Sequence, residues 1–377
     1  MRPPAPAATT PLTWVLAIAM LVVIDAAVTR SALLWGKTNT WIQSEIDRVY
    51  VWQTYDVARK LYSPRRPAAA RIAVLGNSRI WFPAREAYVE RALHTIAPDL
   101  DARVDNLAIF GARIGDLEIV SRHLDRLQPS LVILALGGAD LVPTSWGELV
   151  NPTGELLSIG WRDGPIPPAS AAERVDRWVR TVWPLYRWRR FVRARIEDRL
   201  FPTSSDTEFP DHFPSLLEYF EFTNGRQRGA MLDQTYARWR REPTLEGFVR
   251  YLGGSEGRFG LTEPVPPPES LTLESPGMIA LDQLLARLSD ESFPSIVLLM
   301  PENPLLDDDP TGRYHRPGFS ERAAELIREV AARHHIRVVD GRRWMSADRF
   351  ADLVHVFPDL SGFQEPFARE IVNALGS

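Results

Sequence analysis

The chain contains no cysteine. That absence removes thiolate nucleophiles, cysteine-ligated zinc, iron–sulfur clusters and disulfide scaffolds together. It assigns no compartment, because a chain without thiols suits both a reducing cytosol and an oxidising periplasm. Lysine is nearly missing too: Lys37 and Lys60 are the only two, and 42 of the 44 basic residues are arginine. Nor is there an excess of positive charge, since 48 acidic residues bring the formal net charge to −4. No global positive field exists to hold nucleic acid, which is excluded as a partner. What remains is ordinary globular composition, 45% hydrophobic and 24% charged over 377 residues. It rules out a mainly disordered, collagen-like or multi-span membrane protein, and the length predicts two or three structural units.

One long apolar run stands out. After a short Pro-rich tail at 1–11, Leu12 to Val28 reads LTWVLAIAMLVVIDAAV, and continued helically to Trp35 it reaches membrane-spanning length. Asp25 is its one charge, and Trp14 and Trp35 flank it as interfacial residues do. A transmembrane or signal-anchor helix over 12–35 is therefore expected, with the lipid bilayer as a partner. A cleaved signal peptide fits less well, because the stretch before the run has one arginine and no small-x-small site follows it. Arg2 lies on one side and Arg30 and Lys37 on the other, which leaves orientation open and slightly opposes an amino terminus inside.

Residues 36–66 read as an amphipathic linker helix that ends where Pro64 and Pro67 break periodicity. From 67 the pattern becomes alternating strand and helix. RIAVL at 71–75 is a strand followed by a helix over 85–97, then a strand at 104–109 and a helix over 115–126, then LVILAL at 131–136. After 142 the pattern stops, and it resumes with SIVLLM at 295–300, a helix over 319–334, a strand at 336–340 and a closing helix over 362–375. Continuous apolar strands imply a parallel sheet covered on both faces, so the fold class is α/β. The α/β domain is expected at 67–142 and 291–377, interrupted by a mostly helical insertion at 143–290.

In open parallel sheets, ligands bind beyond the carboxyl ends of the strands. The first strand leaves as Gly76-Asn77-Ser78-Arg79, where a serine can present its hydroxyl at the sheet edge and its own N–H to an oxyanion. The competing reading is an N-cap serine, common at any such turn. The second strand leaves through Asn106 to Gly111 and the third through Gly137-Gly138-Ala139-Asp140; glycines there permit close backbone approach but are also ordinary turn chemistry. Of seven histidines, only His355 has a carboxylate three residues before it, Asp352. That spacing lets a carboxylate fix the imidazole tautomer and stabilise the imidazolium. Both follow the last strand, on the same edge of the expected sheet as Ser78.

These segments, in this order, resemble those of the SGNH (GDSL-like) hydrolases. The resemblance covers the two parts of the α/β domain and implies a three-layer, flavodoxin-like SGNH-type sandwich. It implies that Ser78, Asp352 and His355 are catalytic, that Ser78 and Gly111 supply oxyanion-hole N–H groups, and that Asn77, Asn106, Gly138 and Asp140 line the substrate site. His355 would take the Ser78 proton as the hydroxyl attacks an ester carbonyl, and the acyl group would pass to water or to a sugar hydroxyl. No cofactor and no metal is implied. The third block departs from the family's usual Gly-x-Asn-Asp, because Ala139 stands where the asparagine amide would act as an oxyanion donor. Loss of one such donor costs ~10² to 10³ in rate. Gly362 also follows His355 at a slightly longer interval than is usual.

An anchored protein of this kind resembles those that add or remove acyl groups on bacterial cell-surface glycans, often beside a multi-span acyl-transporting partner. The expectation is a single-pass, extracytoplasmic esterase or O-acyltransferase acting on acyl esters of envelope glycans. Its alternative is a catalytically silent glycan-binding or scaffold protein of an envelope assembly. A nucleotide-binding reading is third, since Gly76-Asn77-Ser78 lacks the further glycines of a phosphate loop.

Other features carry less. Residues 173–200 hold nine arginines and three tryptophans. They read as a core-facing stripe with a solvated basic face, ahead of a membrane-surface helix or a sugar-stacking lid. Asp307-Asp308-Asp309 lacks the spaced ligands of a calcium site. His334-His335 ends a helix, where positive charge is favourable.

Overall fold

An all-apolar strand such as LVILAL is buried on both faces when helices cover both sides of its sheet, and the computed structural model places it in such a sheet. The structure describes residues 69–109, 111–142, 265–308, 316–350, 354–356 and 362–376, with isolated positions at 16, 17, 19–24, 57, 60, 61, 175, 178, 179, 183, 186 and 244. Five strands pair in parallel: β1 (Ala70–Leu75), β2 (Ala102–Asn106), β3 (Leu131–Leu136), β4 (Ser295–Leu299) and β5 (Arg337–Asp340). Their order is β2-β1-β3-β4-β5. β3 is buried along its whole length and lies between β1 and β4, with Ile133 opposite Val74 and Ile296.

The helices are α1 (Ser78–Trp81), α2 (Glu86–Ile96), α3 (Ile114–Ser121), α4 (Pro276–Asp290), α5 (Phe319–Arg333) and α6 (Gln364–Leu375). The chain steps one way from β1 to β2 and the other way from β2 through β3, β4 and β5. Right-handed crossovers therefore send α2 to one face and α3, α4 and α5 to the other. The packing agrees, with α2 against α6 and β2, and α4 against both α3 and α5. The direction reverses between β1 and β3, and at such a switch point the carboxyl ends of the two strands open a crevice.

Several expectations shift. The second strand, expected at 104–109, starts and ends earlier, although Leu107 and Ile109 still donate to the Val74 and Gly76 carbonyls. The helix expected over 115–126 stops at Ser121, whose hydroxyl donates back to the Glu118 carbonyl, and a separate turn covers Leu124–Arg126. α4, which the sequence reading puts at the end of the insertion, packs on α3 and α5 as the crossover helix into β4. The segment read as a linker is docked where it is described: Val57, Lys60 and Leu61 are helical and buried. Lys60 Nζ donates to the Asn106 carbonyl at 2.8 Å and pairs with Glu86 at 2.7 Å.

The transmembrane helix expected at 12–35 falls mostly outside the described residues. Among the described residues no helix is long and apolar enough to cross a membrane. The chain divides into two units, Met1–Trp41 with Ser158–Phe209, and Ile42–Leu157 with Pro210–Ser377. The sheet belongs to the second.

Candidate active site

The turn leaving β1 is held by packing before any chemistry is considered. A side chain at Gly76 would meet Ile80 Cγ2 at 2.5 Å and the Ala135 carbonyl oxygen at 3.0 Å, so only glycine lets α1 start this close to β3. Asn77 caps α1, with Oδ1 accepting the Arg79 N–H at 3.0 Å. Its Nδ2 donates to Asp140 Oδ1 at 2.7 Å, and Asp140 Oδ2 accepts the Gly137 N–H at 2.7 Å. Asn77 and Asp140, expected to line the substrate site, thus join the β1 exit to the β3 exit across the switch point. Ser78 follows as the first residue of α1, where a helical N–H has no acceptor within its own helix.

His355 reaches this turn from the segment after β5. Its Nε2 lies 2.9 Å from Ser78 Oγ, a distance at which the hydroxyl donates when the ring carries its proton on Nδ1. Two supports orient the ring. Phe82, buried just beyond α1, packs edge-on against it with centroids 5.3 Å apart, and the neighbouring Val356 bridges antiparallel to Phe350. The pair connects residues 277 positions apart in sequence. Asp352, expected to orient the imidazole, lies outside the described residues.

The remaining expected residues divide. Gly111 sits at the β2 exit with φ of 63°, a left-handed conformation that glycine adopts without strain. Asn106 is not available to a substrate: it is buried, its amide donates to the Trp81 and Ala84 carbonyls at 3.2 and 3.0 Å, and its Oδ1 accepts the Ala108 N–H at 3.1 Å. Those bonds hold the α1–α2 turn on β2, a structural role. Gly138 is also explained by packing, since a Cβ there would lie 3.1 Å from Ala323 Cβ and 3.4 Å from the Phe319 ring. It lets the start of α5 approach the β3 exit. Ala139 offers only a methyl group at the position where the family resemblance implies an amide donor.

Sequence reasoning passed over two polar residues near this edge. Arg79 lies beside the serine, half-buried, with its guanidinium over Gly137. Its adjacency to Ser78 was the one available signal. Lys60 had only its rarity to mark it. Among the described residues no cluster of side chains could hold a metal ion.

No protein-family model matches the chain, and no curated protein matches it in sequence. Solved structures similar to it include an alpha/beta hydrolase enzyme from the metagenome of Lake Arreo, Spain, at 13% identity and a TM-score of 0.37, covering 82% of this chain and 97% of that one. Another is a catalytic mutant of an acetylxylan esterase from Geobacillus stearothermophilus, at 11% identity and a TM-score of 0.36, covering 83% and 97% respectively.

Proposed function

We propose that this chain is a serine esterase or O-acyltransferase of the SGNH-like type. One observation carries the reading: a serine hydroxyl 2.9 Å from an imidazole nitrogen at the carboxyl edge of a parallel sheet, beside its switch point. His355 takes the Ser78 proton as Oγ bonds to the ester carbonyl carbon, and the carbonyl oxygen becomes an oxyanion. The Ser78 and Gly111 N–H groups stabilise that charge. Collapse of the intermediate breaks the C–O bond to the alcohol, which leaves with the proton from His355. Water or a sugar hydroxyl then takes the acyl group from Ser78, and Asp352 orients the imidazole throughout.

The substrates in this reading are acyl esters of cell-envelope glycans, and the chain is anchored in a membrane with its catalytic unit outside the cytoplasm, beside a multi-span acyl-transporting partner. Support for the anchor is the apolar run itself, where Leu16 and the residues from Met20 to Ile24 are exposed helical side chains. Ala139 favours a second reading, a catalytically silent glycan-binding protein. Fluorophosphonate labelling separates the two. The label is expected on Ser78, absent in Ser78→Ala, and turnover of an aryl acetate is expected to fall at least ~10²-fold in His355→Ala. A label that persists in Ser78→Ala overturns the enzymatic reading.

A further inference from the structure

Gly137 is a glycine for which the backbone gives no reason. Its φ of −120° and ψ of 164° are extended values that any residue adopts. The three atoms nearest the space its missing side chain leaves all belong to one group: a Cβ there would lie 2.0 Å from Arg79 Nη1, 3.1 Å from Cζ and 3.7 Å from Cδ of the same arginine. The β3 exit is therefore shaped around the Arg79 guanidinium. Arg79 is also the residue after the proposed nucleophile, so the seat fixes a permanent cation at the β3 exit, beside the switch point where Ser78 lies.

A partly buried cation ordinarily has an anion beside it. Asp140 is the carboxylate that the turn brings closest in connectivity, and its two oxygens bond Asn77 Nδ2 and the Gly137 N–H. Among the described residues no carboxylate pairs with the Arg79 guanidinium, whereas the similarly half-buried Arg71, Arg122, Arg287 and Arg342 each have one. Guanidinium is planar, always charged, and matched to two oxygens of a carboxylate.

We propose that Arg79, seated on Gly137, is the specificity residue of this site and that the substrate carries a carboxylate close to its scissile ester. The proposal rests on the esterase reading above and names its substrate class. The carboxylate has two possible sources, the acyl group, as in a dicarboxylic half-ester, or the sugar that bears the ester, as in a uronic acid.

The test measures kcat/KM of the full-length protein on two carboxylate esters, mono-p-nitrophenyl succinate and an O-acetylated methyl glucuronoside, and on a neutral counterpart of each, p-nitrophenyl acetate and an O-acetylated methyl glucoside. The wild type is expected to prefer one of the two carboxylate esters over its neutral counterpart. Which one it prefers identifies the source. That preference ratio should fall at least tenfold in Arg79→Gln and recover in part in Arg79→Lys. It should also fall in Gly137→Ala, where the added methyl displaces the guanidinium while the arginine remains. Because only the flexible end of a side chain must move, Gly137→Ala is expected to fold. A ratio unchanged in Arg79→Gln, or a wild type indifferent to the carboxylate, overturns the proposal. Failure of the esterase reading looks different: no ester is turned over and Ser78 takes no fluorophosphonate. Calorimetric titration with succinate and glucuronate then decides, with binding in the wild type that Arg79→Gln loses supporting the anion site, and no binding in either overturning it.

Discussion

Asp116, in the first turn of α3, is a described residue through which pH acts on stability. Burial raises its carboxyl group to about 6, against the opposing pull of the Arg113 N–H bond at 2.9 Å and the Arg113 charge. The folded state therefore holds a proton that the unfolded state, with an ordinary carboxyl near 3.8, has already released. More protons bound in the folded state means that stability falls as pH rises from about 4 through 6, and the loss is complete above that window. Asp116→Asn, which keeps an acceptor for Arg113 and cannot ionise, removes this contribution. In urea unfolding, the variant's stability relative to wild type is expected to be about 1 kcal/mol more favourable at pH 7 than at pH 5. Parallel curves for the two proteins would show that the carboxyl does not titrate there. At this scale the sequence was partly legible. Ser78 stood out by its strand exit and His355 by its spacing from Asp352, and the structure brings Ser78 and His355 within 2.9 Å. The tasks of Asn106, Gly137 and Gly138 were not legible, because each depends on what packs against it from a distant part of the chain.

Among the elements, α1 is the one that sets the site, and at four residues it is too short to stand on propensity. Its position depends on Asn77, which caps it through Oδ1 and ties it to the β3 exit through Nδ2. Asn77→Ala removes both bonds, and an expected loss of about 1–3 kcal/mol in urea unfolding combines a lost cap with a lost bond to a carboxylate. Asn77→Asp keeps the capping oxygen but sets a second carboxylate against Asp140 at hydrogen-bond distance, where both cannot stay ionised. One of the pair then takes up a proton more readily, so the melting temperature of Asn77→Asp should gain on wild type as pH falls from 7 to 5. No gain would mean that the Asn77–Asp140 contact is dispensable. The elements themselves were legible in proportion to their apolar continuity. β3 matches its expected bounds because all six residues are apolar. β2 was shifted because Arg103 and Asp105 interrupt its apolar pattern, Asp105 being buried and paired with Arg71 at 2.7 Å. α4 could not be told from the insertion because no strand precedes it, and only its packing on α3 and α5 places it in the α/β layer.

For the whole molecule, the question is where the sheet-bearing unit begins. Periodicity breaks at Pro64 and Pro67 suggest a start at 67, whereas the structural unit begins at Ile42. Lys60 explains the difference. The residue is 5% exposed, its Nζ donates to the Asn106 carbonyl at the end of β2, and it pairs with the Glu86 carboxylate that also accepts the Asn106 N–H at 3.1 Å. Val57 and Leu61, one turn and one residue away, bury their apolar surface beside it. The helix ahead of the prolines is therefore fastened to the edge of the sheet by one charge and two aliphatic side chains. Replacing Lys60 by methionine keeps the stem and removes the donor, leaving a buried carbonyl and a partly exposed carboxylate without their cation. The expected cost is about 1–3 kcal/mol in urea unfolding. Starting the chain at Pro67 removes Val57 and Leu61 as well, and each such side chain contributes about 1.5–3 kcal/mol when fully buried. The shortened chain should therefore unfold at lower urea than Lys60→Met, and Lys60→Met at lower urea than wild type. Equal midpoints for wild type and the chain from Pro67 would show that the helix is a tether only. The predicted ranking would show instead that the residues before the prolines are part of the folded unit, holding the β2 exit that leads to Gly111.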